Sequence, residues 1–453
     1  MAVVAVLAGA FGLFGRARIG SRGGTDGAGN IFPVRRRKTA PIEANTRRPL
    51  VLHISSDYTD GLGERVAHRN WHPTLAVNNL VEGAEEFDHV VFSLRRRCFP
   101  AASFLVDLGH PRREHVRVFA YGHFGLPLGI GLFHSFWVAA RTIRQVLQAE
   151  QLRPDAVHAH RLTFDGIAGW LLARALGIPL FVSIRGEVER KTFKFKPTYR
   201  PLMRRIVARS TGVFYVSAWY AAELGKYTDM DPARAQLLPN LVNETQTRSK
   251  PDCTPTSFVT VFNLNIWRKK GLKGLLAAFA EASKRSPTLR LSIVGGGRPR
   301  SIMEVRGLIE RFGLESAVRL EGALPNAAVR ERMSESMALV LPSHNETFGM
   351  VYLEALFAGA PILYSRGTGI DGFLDDLQVG IAVDPGSVEE IARALTELAT
   401  NNTRYRRAVV ASAGELSNRF GRDQVLARYA RVIRSGISSY PRSDQLAIRP
   451  SRL

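Results

Sequence analysis

Residues 339–363, LVLPSHNETFGMVYLEALFAGAPIL, decide how this chain is read. An apolar run over 338–341 stops at Pro342, as a buried parallel strand does, and the polar loop Ser343-His344-Asn345-Glu346-Thr347 follows. Apolar residues at helical spacing then predict a helix from about 348 to 358, ended by Gly359 and Pro361. Ligands of parallel α/β sheets gather at the carboxyl ends of strands. There the next helix aims its unpaired N–H groups and the positive end of its dipole outward. Glu346 is thereby placed at a mouth, and Glu354 about two turns into the helix. On one continuous helix the two would stand about 80° apart in projection. Two carboxylates at different depths can address one ligand lying along the helix N-terminus, accepting hydrogen bonds from sugar or ribose hydroxyls.

The bare spacing of two glutamates is commonplace, but the residues around it are not. The pattern Pro342-Ser343-x-x-Glu346-x-Phe348-Gly349-x-x-x-x-Glu354-Ala355-x-x-x-Gly359-x-Pro361 resembles the signature of family 4 glycosyltransferases, the glycosyl transferases group 1. That family has the α/β GT-B fold, two Rossmann-like domains facing each other across a cleft. The resemblance implies transfer of a sugar from a nucleoside-diphosphate-sugar to a hydroxyl acceptor with retained anomeric configuration, and neither metal nor cofactor.

Length and composition agree with two domains. The chain has 453 residues, 45% of them hydrophobic, too many for one ordinary domain. Its two cysteines, Cys98 and Cys253, carry no metal-ligand spacing and form no disulfide framework, so a reducing, cytoplasmic compartment is expected. The net charge of +22 is spread as +7, +7 and +8 over 1–48, 49–243 and the remainder. Residues 1–15 are apolar but too short to span a bilayer comfortably, and they lack the basic start of a signal peptide. With the cluster Arg35-Arg36-Arg37-Lys38, residues 1–48 are expected to form a basic, disordered extension.

Residues 49–243 are expected to form the acceptor-side Rossmann-like domain. Its first strand, Leu50-Val51-Leu52-His53-Ile54-Ser55, runs into a loop with Asp57, Asp60, Gly61 and Gly63, where glycine lets backbone approach a donor. Strands are also expected at 90–93 and 116–119, and an amphipathic helix at 136–151. The run Pro154-Asp155-Ala156-Val157-His158-Ala159-His160 resembles the family's strand ending in His-x-His. Histidines at a strand end more often hold loops than move protons. Where the family has His-Gly near the transferred sugar, this chain has Arg185-Gly186; an arginine there offers a fixed fork of donors for phosphate or an anionic acceptor. From Arg190 to Arg205, lysines and arginines alternate with Phe193, Phe195, Tyr199, Leu202 and Met203, a mixture suited to an anionic membrane surface. The plainer reading is a solvated basic face.

Residues 244–256, rich in Thr, Ser and Pro, read as the linker, 257–435 as the nucleotide-sugar-binding domain and 436–453 as a tail. After a strand at 258–262, the loop Asn263-Leu264-Asn265-Ile266-Trp267-Arg268-Lys269-Lys270-Gly271 opens a helix and points fixed positive charge at the cleft. In the family an arginine five or six residues before the Lys-Gly pair shares the diphosphate with that lysine. Here Asn265 and Leu264 hold those positions, so Lys270 carries over, Arg268 is the substitute within the loop, and Asn265 is expected to bind the donor. The resemblance assigns the leaving diphosphate to Lys270 and the N–H groups of Phe348, Gly349 and Met350, with Arg268 standing in for the missing arginine, the ribose to Glu354 and the sugar to Glu346. It sets Leu324 beside the base, and His160 and Arg185 on the acceptor side. Residues 367–369 and 379–383 resemble its next turn and hairpin. Expected partners are a nucleotide-sugar, a glycan or lipid-linked acceptor of surface-glycan assembly, and the inner face of a membrane. Two rivals stand beside this: a non-catalytic glycan-binding protein, which the missing arginine and histidine would suit, and a nucleic-acid binder, which the charge suits but no recognition motif supports.

Overall fold

The computed structural model describes residues 47–60, 75–97, 104–125, 131–242 and 256–441. All but the last two residues of the predicted extension, Gly61 and Gly63, and nearly all of the linker lie outside them.

The first half is built around Leu50–Ser55 (β1), buried along its whole length. A strand buried on both faces needs helices on both, which is the logic of parallel α/β sheets. The chain continues through β2 (Asp88–Arg97), β3 (Phe104–Asp107), β4 (Val116–Phe124), β5 (Ala156–Ala159), β6 (Leu180–Ile184), β7 (Gly212–Tyr215) and β8 (Ala235–Leu237). These form one sheet in the order β3-β4-β2-β1-β5-β6-β7-β8. Neighbours are parallel except β3, which runs antiparallel to β4. The expected amphipathic helix starts earlier than its periodicity suggested, at Leu132, and ends at Ala149.

The second half contains β9 (Ser257–Val261), β10 (Arg290–Val294), β11 (Val318–Gly322), β12 (Leu339–Val340), β13 (Ile362–Ser365) and β14 (Gly380–Val383), in the order β11-β10-β9-β12-β13-β14. Every pair is parallel. The hairpin expected at 379–383 is therefore not formed: β14 pairs with β13 in parallel, after a crossing chain that a tight hairpin cannot provide.

Both sheets reverse their order of growth once, the first between β1 and β5, the second between β9 and β12. Loops diverge at such a point and leave a crevice at the carboxyl ends of the two strands, where ligands of open α/β sheets bind. Lys270 lies in the loop after β9 and Glu346 in the loop after β12. In the first sheet the corresponding loops carry Asp57 and Arg161.

Side chains alternate across β1. Leu50, Leu52 and Ile54 join one core, while Val51 packs on the other face with Ala156, Phe181 and Phe214. That second face is covered by helix Arg422–Ser439 through Val425, Tyr429, Ala430 and Ile433, spaced as one apolar stripe. The helix that the sequence places at the end of the second half thus packs on the first sheet. Among the described residues no helix is long and apolar enough to cross a membrane.

Candidate active site

On the second sheet the loops after β9 and β12 are fastened to each other by backbone. His344 donates its N–H to the Lys269 carbonyl at 3.0 Å. Gly271 has φ +71°, and a Cβ there would lie 1.9 Å from the Pro342 carbonyl oxygen, so only glycine lets the Lys270-Gly271 turn pass so close. Tyr352 donates its hydroxyl to the Leu341 carbonyl at 2.6 Å, and Ser365 to the Ser343 carbonyl at 2.7 Å. Gly369 donates its N–H to the Glu346 carbonyl at 3.0 Å. This scaffold brings the Lys270 ammonium onto the Glu346 carboxylate as a direct ion pair. Both side chains are mostly buried, with 14% and 13% of their surface exposed.

The helix behind them runs Met350–Phe357, two residues shorter at its start than the periodicity suggested, because Gly349 takes φ +78° and serves as its N-cap. The Phe348 ring is buried against Phe373 and Phe420, so only its backbone is available to a ligand. Glu354 sits half-buried on the second turn of the helix. Leu324 lines a cavity of about 350 Å³ with Arg319, Glu321 and Arg332.

Two residues of the β9 loop expected at the donor make other contacts in the structure. Arg268 does not join Lys270: it stacks over the Trp267 ring at 4.2 Å and pairs with Glu304 at 3.1 Å, with 69% of its side chain exposed. The aromatic face and the carboxylate of helix Pro299–Arg311 offer it both cation–π and charge contacts. Asn265 is occupied as well, its side-chain oxygen accepting the Arg298 N–H at 2.9 Å just before that helix.

At the first switch point the fixing is done by side chains. Arg161 grips Asp57 with two donors, Nε to Oδ2 at 2.7 Å and a terminal nitrogen to Oδ1. Arg185 approaches the same carboxylate at 3.8 Å and donates to the Asn240 side chain at 3.0 Å. Burial lowers the Arg185 pKa, an effect Asp57 opposes. Asp165 accepts from the Ser56 N–H at 3.1 Å and hydroxyl at 2.5 Å; burial lifts its pKa to about 7 even so. Burial raises that of Glu189 too, although it accepts the Gly186 N–H at 3.1 Å. The mouth thus holds two arginines around the Asp57 carboxylate.

The two mouths meet through the segments after β6 and β7. Glu187 accepts from Lys269 at 2.5 Å, Arg190 donates to the Asn345 side chain at 2.6 Å, and Ser217 donates to the Thr347 carbonyl. Arg185 and Glu346 accordingly flank one crevice.

His160 lies elsewhere than at an open mouth. It is fully buried under helix Arg422–Ser439 in a cluster with His53, His89 and His158. Nitrogens of His53, His158 and His160 lie within 4.8 Å of one another, close enough to hold a metal ion. Both ring nitrogens of His53 and of His158 already make hydrogen bonds, however, so hydrogen bonding accounts for those two rings. The sequence shows His53, His158 and His160 on their strands and Asp57 in its loop, but not that the histidines cluster, that Asp57 pairs with Arg161, or that Asn240 and Gly369 contact the site residues.

Two facing α/β halves with paired switch-point loops define a glycosyltransferase of the GT-B class. Residues 73–241 match the family description "Glycosyl transferase 4-like domain" and residues 244–415 match "Glycosyl transferases group 1". The chain belongs to that family. A D-inositol 3-phosphate glycosyltransferase of Segniliparus rotundus is 29% identical over 320 residues, 66% of this chain and 70% of the relative. Among solved structures, sucrose-phosphate synthase of Thermosynechococcus elongatus superposes with a TM-score of 0.66 at 18% identity, covering 86% of this chain and 100% of that one. Anabaena HepE in complex with UDP superposes with a TM-score of 0.63 at 17% identity, covering 85% and 100%.

Proposed function

We propose that this glycosyltransferase moves a sugar from a nucleoside-diphosphate-sugar to a hydroxyl of an anionic acceptor, with retention at the anomeric carbon. The observation that carries the donor half is the Lys270–Glu346 pair, held at the second switch point by backbone contacts. When the donor enters, Lys270 leaves Glu346 for the diphosphate and Glu346 accepts sugar hydroxyls in its place. As the bond between the anomeric carbon and the diphosphate oxygen breaks, negative charge grows on the leaving group. Lys270 and the backbone N–H groups at Gly349 and Met350 stabilise it in a water-poor crevice. Glu354, deeper in the helix, holds the ribose.

Two arginines around Asp57 support the acceptor half of the reading, since their surplus of positive charge suits a phosphate or carboxylate on the acceptor. The name of the Segniliparus rotundus relative, with its phosphorylated acceptor, agrees with that class. The adjoining helices Glu187–Phe195 and Arg200–Arg209 expose Lys191, Lys194, Arg204 and Arg205, and Phe195 is 69% exposed beside the Lys194 ammonium. This face suits an anionic bilayer, where a lipid-linked acceptor of surface-glycan assembly would be met on the cytoplasmic side. The test is hydrolysis and binding across a panel of uridine and guanosine diphosphate sugars, with the uridine series first because HepE was solved with UDP. Turnover of at least one donor is expected. Binding without turnover of any would favour a non-catalytic glycan-recognition protein.

A further inference from the structure

Helix Glu187–Phe195 of the first half touches the second half beside its reacting pair. Glu187 Oε2 takes the Lys269 ammonium at 2.5 Å, one residue before Lys270. Arg190, three residues further and so on the same helix face, donates to the Asn345 side chain at 2.6 Å, one residue before Glu346. From the segment after β7, Ser217 donates to the Thr347 carbonyl, one residue after Glu346. The backbones are close as well: a Cβ on Gly186 would meet the Thr347 methyl at 3.5 Å, and one on Gly372 would meet the Ala218 Cβ at 3.3 Å. Each of the three polar contacts falls on a chain neighbour of Lys270 or Glu346, and none on the pair itself.

Glu187 also serves its own helix. It stands in the first turn, where a carboxylate suits the dipole, and its Oε1 takes Lys191 at 2.7 Å. That accounts for one oxygen. The other holds a lysine of the opposite half, and a pair as exposed as this, with 25% and 39% of the two side chains uncovered, adds little to stability. The donor loops do not need it for their own shape, since main chain sets them. What these contacts fix is where the first half sits, with Arg185 two residues before Glu187, against Lys270 and Glu346. A misplacement of about 1 Å between reacting groups can cost about 10²-fold in rate.

We propose that Glu187 and Arg190 are positioning residues for the transfer, which act through Lys269 and Asn345 to hold the acceptor-side mouth in register with the Lys270–Glu346 pair. This rests on the transferase reading. The test is kinetics and calorimetry on the full chain with the sugar nucleotide found to turn over in the panel. Glu187→Gln and Lys269→Gln should each lower kcat about tenfold, with donor Kd changed less than about twofold. Their thermal midpoints should move by less than about 2 °C, as for an exposed pair. The double variant should also be about tenfold slower, and not a hundredfold, because both changes remove one contact. Lys269→Arg keeps the charge and should stay within about threefold of wild type. Arg190→Ala leaves Glu187 and Lys269 in place and should lower kcat alone; it decides the matter should a Glu187 variant fail to fold. An unchanged kcat in Glu187→Gln or Arg190→Ala, effects that multiply in the double variant, or a donor Kd that worsens in step with kcat would each overturn the proposal while leaving the transferase intact. Failure of every sugar nucleotide to react would overturn the function itself, and the proposal with it.

Discussion

At the second switch point Lys270 and Glu346 are set by main chain: the Lys269 carbonyl, the Gly369 N–H and a glycine turn pressed against Pro342. At the first, Asp57, Arg161, Arg185 and the histidines are set by one another, through side chains that come from strands far apart in sequence. A backbone-set charge can be exchanged between a neighbour and a ligand without disturbing the fold. A side-chain-set cluster is part of the core, so what alters its charge alters stability too.

Acid should expose that difference most. Five buried histidines, His53, His89, His123, His158 and His160, have folded pKa values depressed by burial, to about 3 for His89 and His158 and about 4 for His123. Between roughly pH 6.5 and 3 the unfolded chain binds protons that the folded chain refuses, so the stability they contribute is present above pH 6.5 and lost as pH falls. Asp165 and Glu189 are raised and oppose this, since their protonated forms are favoured in the fold. The histidines outnumber them, giving a net uptake of about three protons on unfolding and a loss of roughly 4 kcal/mol per pH unit near pH 5. Urea midpoints from pH 7 to 4.5 measure it, and His158→Gln should flatten the slope. A midpoint that does not move with pH breaks the comparison on the first-half side.

Lys270→Ala tests the other side. Turnover should fall about 10²- to 10³-fold, the usual cost of losing a fixed donor to a developing anion. Its thermal midpoint should stay close to wild type, because the loop is held by backbone. A large fall in stability with normal turnover would reverse the assignment. Replacing Lys191, Lys194 and Lys196 with Gln should weaken binding to anionic vesicles by about 3 kcal/mol at low salt, at about 1 kcal/mol per charge. Donor binding should be unaffected, and the wild-type attraction should fade as the Debye length shrinks from ~10 Å at 0.1 M salt to ~3 Å at 1 M. A variant that sediments with vesicles as wild type does removes the membrane from the account. Arg268→Ala carries the smallest expected effect, a change in turnover of less than about threefold, since the side chain is exposed and faces Glu304. A loss equal to that of Lys270→Ala would return Arg268 to the diphosphate.

The same division explains what could be read before the structure was in hand. Backbone-set sites need glycine and proline at fixed offsets, and Pro342, Gly349, Gly359, Pro361 and Gly271 announce the loops that carry Glu346 and Lys270. The two halves, most strands and the switch-point helix were legible for the same reason. Side-chain clusters leave no such punctuation. Arg161 finds Asp57 across 104 residues and His53 finds His160 across 107, pairings fixed by strand order alone. Arg268 shows a related limit: its place in the loop was visible, but its pairing with Glu304 and its stacking on the Trp267 ring were not.

The claim on which the rest depends is that the second half holds a sugar nucleotide with Glu354 on its ribose. Calorimetric titration of wild type and Glu354→Ala with the best donor of the panel tests it directly. A carboxylate accepting from ribose hydroxyls makes charge-assisted bonds worth roughly 1.5–3 kcal/mol. The variant should therefore bind about 10- to 100-fold more weakly, with an unchanged thermal midpoint in the absence of ligand. Equal dissociation constants for the two proteins would contradict the account.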